Sequence, residues 1–117
     1  MATVLQAVDL TVVHVNVGLG KAGPWAKPES ATVWTRPDAP DLIHLQGSEA
    51  FTIEFKADSP FPQKKYEAWP KNGQFVVEER IRRSTGYGTY RYDLTFREGK
   101  PDEVTLDPDL VVKKDPR

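Results

Sequence analysis

The sequence predicts an all-β fold, a two-sheet antiparallel β-sandwich. Three observations carry that expectation. Apolar residues alternate with polar ones in several short runs, most clearly Tyr90, Tyr92, Leu94 and Phe96 between Thr89, Arg91, Asp93 and Thr95. A period of two is the signature of a strand with one buried face. Ten prolines and eight glycines in 117 residues cut this pattern into short pieces, a proline share above the usual ~5%. No segment has the length and period of an amphipathic helix.

The elements follow in order. Val8 to Val17 is rich in β-branched residues, with Val13, Val15 and Val17 on one face and Val12, His14 and Asn16 on the other. Gly18 to Pro28 carries too many glycines and prolines for regular structure and is expected as a surface connection. Ala31 to Arg36 is the next strand, closed by Pro37 to Asp41, and Leu42 to Leu45 a short edge strand before a turn at Gly47. Phe51, Ile53 and Phe55 alternate with Thr52, Glu54 and Lys56, giving one apolar and one polar face.

Asp58 to Gly73 reads as a long loop, the kind that is usually functional or disordered, with room for one helical turn at Lys64 to Trp69. Gln74 to Arg83 is a long strand. Glu79 shares its apolar face with Phe75, Val77 and Ile81, which calls for a bulge or a sheet edge there. Ser84 to Gly88 turns into the Tyr90 strand, Glu98 to Glu103 turns again, and Val104 to Leu106 with Leu110 to Val112 close the sheet. About seven or eight short strands in a chain of this length suit one domain, residues 1–117, with a single core.

Two of these runs carry a resemblance. Val33-Trp34-Thr35 and Gly88-Thr89-Tyr90-Arg91-Tyr92 resemble the early and late strands of the cupredoxin family, over a span from about Ala31 to Lys113. The Gly-x-Tyr-x-Tyr pattern also occurs in immunoglobulin-like domains. The ending Thr105 to Val112 is similar to that of short bacterial cupredoxin-like proteins without assigned function. The resemblance implies a Greek-key sandwich of cupredoxin or immunoglobulin type. In a copper-binding member the late strand leads into a Cys, a His and a Met that hold the metal. Here Asp93 and Leu94 follow, and the chain has no cysteine.

That absence excludes disulfides, thiolate metal sites and a cysteine nucleophile. A blue-copper centre needs imidazole and thiolate ligands, and the chain offers His14, His44 and Met1. No copper and no other cofactor is expected. His14 and His44 read as ordinary strand residues, the alternative being that they meet as ligands of another metal. The acidic groups at Asp102-Glu103 and Asp107-Pro108-Asp109 read as turn chemistry in preference to a calcium site.

Catalysis needs a nucleophile with a base, paired carboxylates across a cleft, or a metal. Glu78 and Glu79 are adjacent on a strand and point to opposite faces, Ser59 and Ser84 lack a nucleophile-elbow context, and no phosphate-binding glycine loop occurs. The protein is therefore expected not to be an enzyme.

Net charge is −1, which implies no obligatory polyanionic partner. Residues 63 to 97 hold eight basic and four acidic side chains, a net of +4. Arg80 and Arg82 share one strand face and Arg91 and Arg97 another, with Arg83 between them. If those strands pair, a positive stripe results, to which Lys64 and Lys65 add. Glu78 beside Arg80 and Asp93 beside Arg91 offer the competing reading of a solvated, ion-paired face. Among the aromatic residues of the connections, Trp25 and Phe61 are expected to cap the sandwich. Tyr66 and Trp69 are expected to meet a partner.

The function expected is a non-catalytic binding module that presents the 58–73 loop and the adjacent arginine face to another protein. Its partner-binding residues would be Tyr66, Trp69, Lys64, Lys65, Arg80, Arg82 and Arg91. The partner would have an acidic or mixed surface, nucleic acid being disfavoured. The alternative is a carbohydrate-binding module using the loop aromatics. No stretch is apolar enough to span a membrane. The start, Met1 to Asp9, makes a poor signal peptide, which favours the cytoplasm over export without settling the compartment.

Overall fold

Eleven strands and no helix make up the described residues, 12–35, 42–82 and 84–114, of the computed structural model. The expectations for Met1 to Asp9, for Pro37 to Asp41 and for Arg83 lie outside them. No helix among the described residues is long and apolar enough to cross a membrane.

Strand β1, Val12–Gly20, follows the alternation of its sequence, with Val15 and Val17 buried and His14 and Asn16 exposed. The Gly- and Pro-rich segment after it is not an irregular connection. It folds back as β2, Gly23–Lys27, antiparallel to β1. Gly23 enters that strand at φ +117°, a conformation that costs a glycine little, and Pro24 sits on a sheet edge where it forfeits no ladder bond. The Lys27–Pro28 peptide is cis, and beyond it β3, Ser30–Thr35, belongs to the other sheet.

β4, Leu42–Gly47, was expected at an edge but lies between β1 and β8, Gln74–Arg80. Gly47 lets it approach β1 closely, since a Cβ there would stand 2.7 Å from the Val17 carbonyl oxygen. β5, Phe51–Phe55, has its three apolar residues buried, as its alternation predicts. The segment 58–73 is not wholly a loop and has no helical turn. β6, Lys65–Glu67, and β7, Trp69–Lys71, occupy its second half, one in each sheet. β9, Gly88–Phe96, β10, Val104–Leu106, and β11, Asp109–Lys114, complete the fold.

The sheets run β2-β1-β4-β8-β7 and β3-β11-β9-β5-β6, with β10 paired to β9. Both are mixed, which corrects the antiparallel expectation: β1 pairs parallel with β4, and β3 parallel with β11. Tight turns impose antiparallel neighbours, whereas strands joined through a long excursion can lie parallel. The chain leaves β1 for β2 and β3 before returning as β4.

The inner sides of the two sheets share one hydrophobic cluster that includes Val15, Ile43, Leu45 and Val77 from the first sheet and Ile53, Phe55, Leu94 and Leu110 from the second. Phe55 packs at 5.4 Å from both Phe61 and Tyr92. Glu79 points toward this interior without a bulge, since the β4–β8 register runs unbroken from Gly47↔Phe75 to Leu42↔Arg80. The sheet-edge alternative holds, because the β7 ladder stops at Val76. The Tyr66 hydroxyl, 3.2 Å away, donates to the Glu79 carboxylate.

Candidate binding surface

The outer face of the five-stranded sheet is fixed by what its strands bury. Val15 and Val17, Ile43 and Leu45, Val77 and Ala26 point inward, so His14 and Asn16, His44 and Gln46, Val76, Glu78 and Arg80, Trp25 and Lys27 point outward. Directly opposed residues share a face, and the β7–β8 register therefore adds Trp69 and Lys71 beside Val76 and Gln74. One row crosses all five strands: Lys27, Asn16, Gln46, Val76, Trp69. Val76 in that row is only 3% exposed although it faces outward, so its neighbours' side chains close over it.

Two indoles mark the ends of this face, Trp25 at 37% and Trp69 at 45% exposure. Trp25 lies along β1, over Gly18 and Gly20. A Cβ added at Gly18 would stand 2.4 Å from the Trp25 Cζ2, so the glycine is what lets the ring settle on the strand. The Lys27 ammonium is 5.6 Å from the centre of the same ring, a cation–π distance. A shallow groove lined by Asn16, Trp25, Lys27, Gln46, Ser48 and Gln74 lies between the strands here.

Electrostatics separate the two outer faces. On the six-stranded sheet Lys56 reaches Asp107 at 2.8 Å and Asp93 at 3.5 Å, Arg91 reaches Asp107 at 3.5 Å, and Lys65 reaches Glu98 at 3.0 Å. The hydrogen bond to Asp107 raises the Lys56 ammonium above its usual range, and the Lys56 ammonium lowers the Asp107 carboxyl. Arg97 is held by Glu49 at 2.9 Å and Asp102 at 2.8 Å. The face is ion-paired, but not through the arginines that the sequence set against Glu78 and Asp93: Asp93 meets Lys56 and Arg91 meets Asp107, while Glu78 lies on the other sheet. Among the described residues of the five-stranded sheet the outward charges are Lys27, Lys71 and Arg80 against Glu78, and Glu78 is engaged by His44 at 2.7 Å.

The seven residues expected to form one partner site are dispersed. β8 and β9 lie in different sheets, so their arginines do not build a stripe. The connection between them is no hairpin. The Arg82 amide donates to the Pro60 carbonyl at 2.8 Å, the Thr85 hydroxyl to the same oxygen at 3.1 Å, and the Arg82 guanidinium to the Ser59 carbonyl. These bonds tie the chain to the 58–60 segment at the point where it changes sheets. Arg82 is thus half-buried. Tyr66 is half-buried too, edge-on to Phe61 at 5.7 Å, with its hydroxyl accepting from the Gln63 amide. Lys65 and Arg91 are on the ion-paired face, and Lys64 is exposed in the connection before β6. Trp69 and Arg80 remain on the outer face of the five-stranded sheet.

Phe61 turns into the core at 1% exposure. Trp25 caps no end of the sandwich and stands on the sheet face. The histidines meet: His14 and His44 are register partners, with ring centres 5.4 Å apart. Val13-His14-Val15 and Ile43-His44-Leu45 are the same triplet of apolar, His, apolar residues, which sets both imidazoles outward without saying which strands pair. Among the described residues no three His, Asp or Glu side chains are grouped to hold a metal.

Comparison with protein-family models, with curated proteins and with solved structures found no match.

Proposed function

We propose that this protein is a non-catalytic binding module that holds a protein with an acidic surface against the outer face of its five-stranded sheet. The observation that carries this reading is the contrast between the faces. Among the described residues, one sheet ties Lys56, Arg91 and Lys65 to its own carboxylates and carries one exposed indole, Trp34, while the other presents two indoles and three cations, Lys27, Lys71 and Arg80, against a single carboxylate already taken by His44. Tryptophan and arginine dominate the energetics of protein interfaces, and complementary charge steers and aligns the encounter. The 58–73 segment takes part through Trp69 and Lys71 of β7, which replaces the arginine stripe of the original expectation. The mixed two-sheet architecture and the Tyr90 strand support reading the fold as a copperless cupredoxin- or immunoglobulin-like sandwich.

The test is affinity capture with three baits: wild type, Trp25→Ala/Trp69→Ala, and Trp34→Ala on the opposite sheet. A partner retained by wild type and Trp34→Ala and lost by the double variant is the expected result. Each indole is expected to contribute roughly 2 kcal/mol or more, about a 30-fold change in affinity. Equal retention by all three baits would overturn the reading. A second reading, a glycan site, is favoured by one observation, the Trp25 ring laid along β1 over Gly18, a posture suited to stacking on a sugar. It predicts quenching of tryptophan fluorescence by polysaccharide with little salt dependence.

A further inference from the structure

We infer that His14 and His44 form a two-imidazole site for a divalent transition ion such as Zn²⁺, carried on the sheet face. The inference stands on the histidines alone and does not depend on the partner reading. Both residues point outward from neighbouring parallel strands in direct register, and their ring centres are 5.4 Å apart. Two nitrogens on one Zn²⁺, each at about 2.0–2.1 Å, lie roughly 3.3 Å from one another. Rings at this separation reach that distance by turning toward a common ion.

The surroundings of His44 fit the same chemistry. Its Nδ1 lies 2.7 Å from the Glu78 Oε2, and Glu78 is its register partner on the other side. A carboxylate there takes the Nδ1 proton as a hydrogen bond, fixes the tautomer and leaves the lone pair on Nε2, which is how metal-binding imidazoles are commonly oriented. That Nε2 faces the Gln46 Oε1 at 3.0 Å. That contact is of hydrogen-bond length, so an ion at Nε2 displaces a proton there or follows a turn of the Gln46 amide, and the Gln46 side chain then stands within reach of the ion. His14 is exposed on the adjoining strand. With only two imidazoles and no thiolate, water completes the shell, and the site differs in ligands and in place from a blue-copper centre.

Titration of the full chain with ZnCl₂, followed by calorimetry and by the nitrogen shifts of the imidazoles, tests this. The expected result is one ion per chain, with both histidines shifted. Binding should be lost in His14→Gln and in His44→Gln, while circular dichroism shows the fold intact. Glu78→Gln, which keeps both ligands, should weaken binding about 10-fold. Absence of saturable binding would overturn the proposal, as would binding that survives His14→Gln. So would a free protein in which both His44 nitrogens carry protons and Zn²⁺ displaces neither.

Discussion

Replacing Phe55 by Ala is expected to remove about 3–5 kcal/mol of stability, a large share of the 5–15 kcal/mol that holds a typical domain folded. Phe55 ends β5 with 1% of its surface exposed, between Phe61, edge-on at 87°, and Tyr92, tilted at 50°. Its ring ties the 58–62 connection to the six-stranded sheet, and its amide donates to the Lys64 carbonyl at 2.9 Å. Truncation leaves a cavity that two large rings cannot both fill, whereas Phe55→Leu keeps most of the volume and should lose less. Urea unfolding of the three proteins measures this. A loss below about 1 kcal/mol in Phe55→Ala would mean that the aromatic cluster is not the centre of the core.

Tyr92→Phe is expected to act in the opposite direction. The Tyr92 side chain is 1% exposed, and its hydroxyl meets no hydrogen-bond partner among the described residues. An unsatisfied buried hydroxyl costs about 1–3 kcal/mol, so removing it should stabilise the fold by about 1 kcal/mol at neutral pH. Burial, with Asp109 and Glu29 adding to it, also pushes the phenol far above its ordinary value.

The pH dependence follows in sign. The unfolded phenol ionises near pH 10 while the folded one stays protonated. The stability this provides is complete below about pH 10 and is lost as pH rises above it, by up to about 1.4 kcal/mol per unit. Tyr66 and Tyr90, both raised chiefly by burial, act with the same sign, as do the exposed ammoniums of Lys56 and Lys65. Urea unfolding at pH 9 and pH 11 should therefore show a smaller alkaline loss in Tyr92→Phe than in wild type. Equal losses would place the Tyr92 hydroxyl in contact with water.

Much of the fold was legible because burial imposes a period of two. The valines of β1, the phenylalanines of β5 and the tyrosines of β9 announce their buried faces in the sequence. What sequence could not convey is which strands become neighbours. Arg80 and Arg91 lie eleven positions apart on successive strands, and a turn rich in glycine between them looks like a hairpin. The Arg82 and Thr85 bonds to Pro60 carry the chain across to the other sheet instead.

The proposed binding surface was less legible for the same reason. Trp25 and Trp69 sit in segments whose glycines and prolines read as loops. Gly23, Pro24 and Pro70 occupy turn and edge positions, where a strand tolerates them. The meeting of His14 with His44 depends on a parallel register between strands thirty residues apart, for which no local rule exists.

Recognition is proposed on the outer face of the five-stranded sheet. The chain has no cysteine, so a single introduced thiol reports on one face at a time. The decisive measurement is the alkylation rate of Gln46→Cys, at the centre of that face, and of Glu54→Cys, on the opposite sheet, with and without the captured partner. Slower alkylation of Gln46→Cys alone is the predicted result. Protection of Glu54→Cys with Gln46→Cys unchanged would contradict it and move the site to the ion-paired sheet.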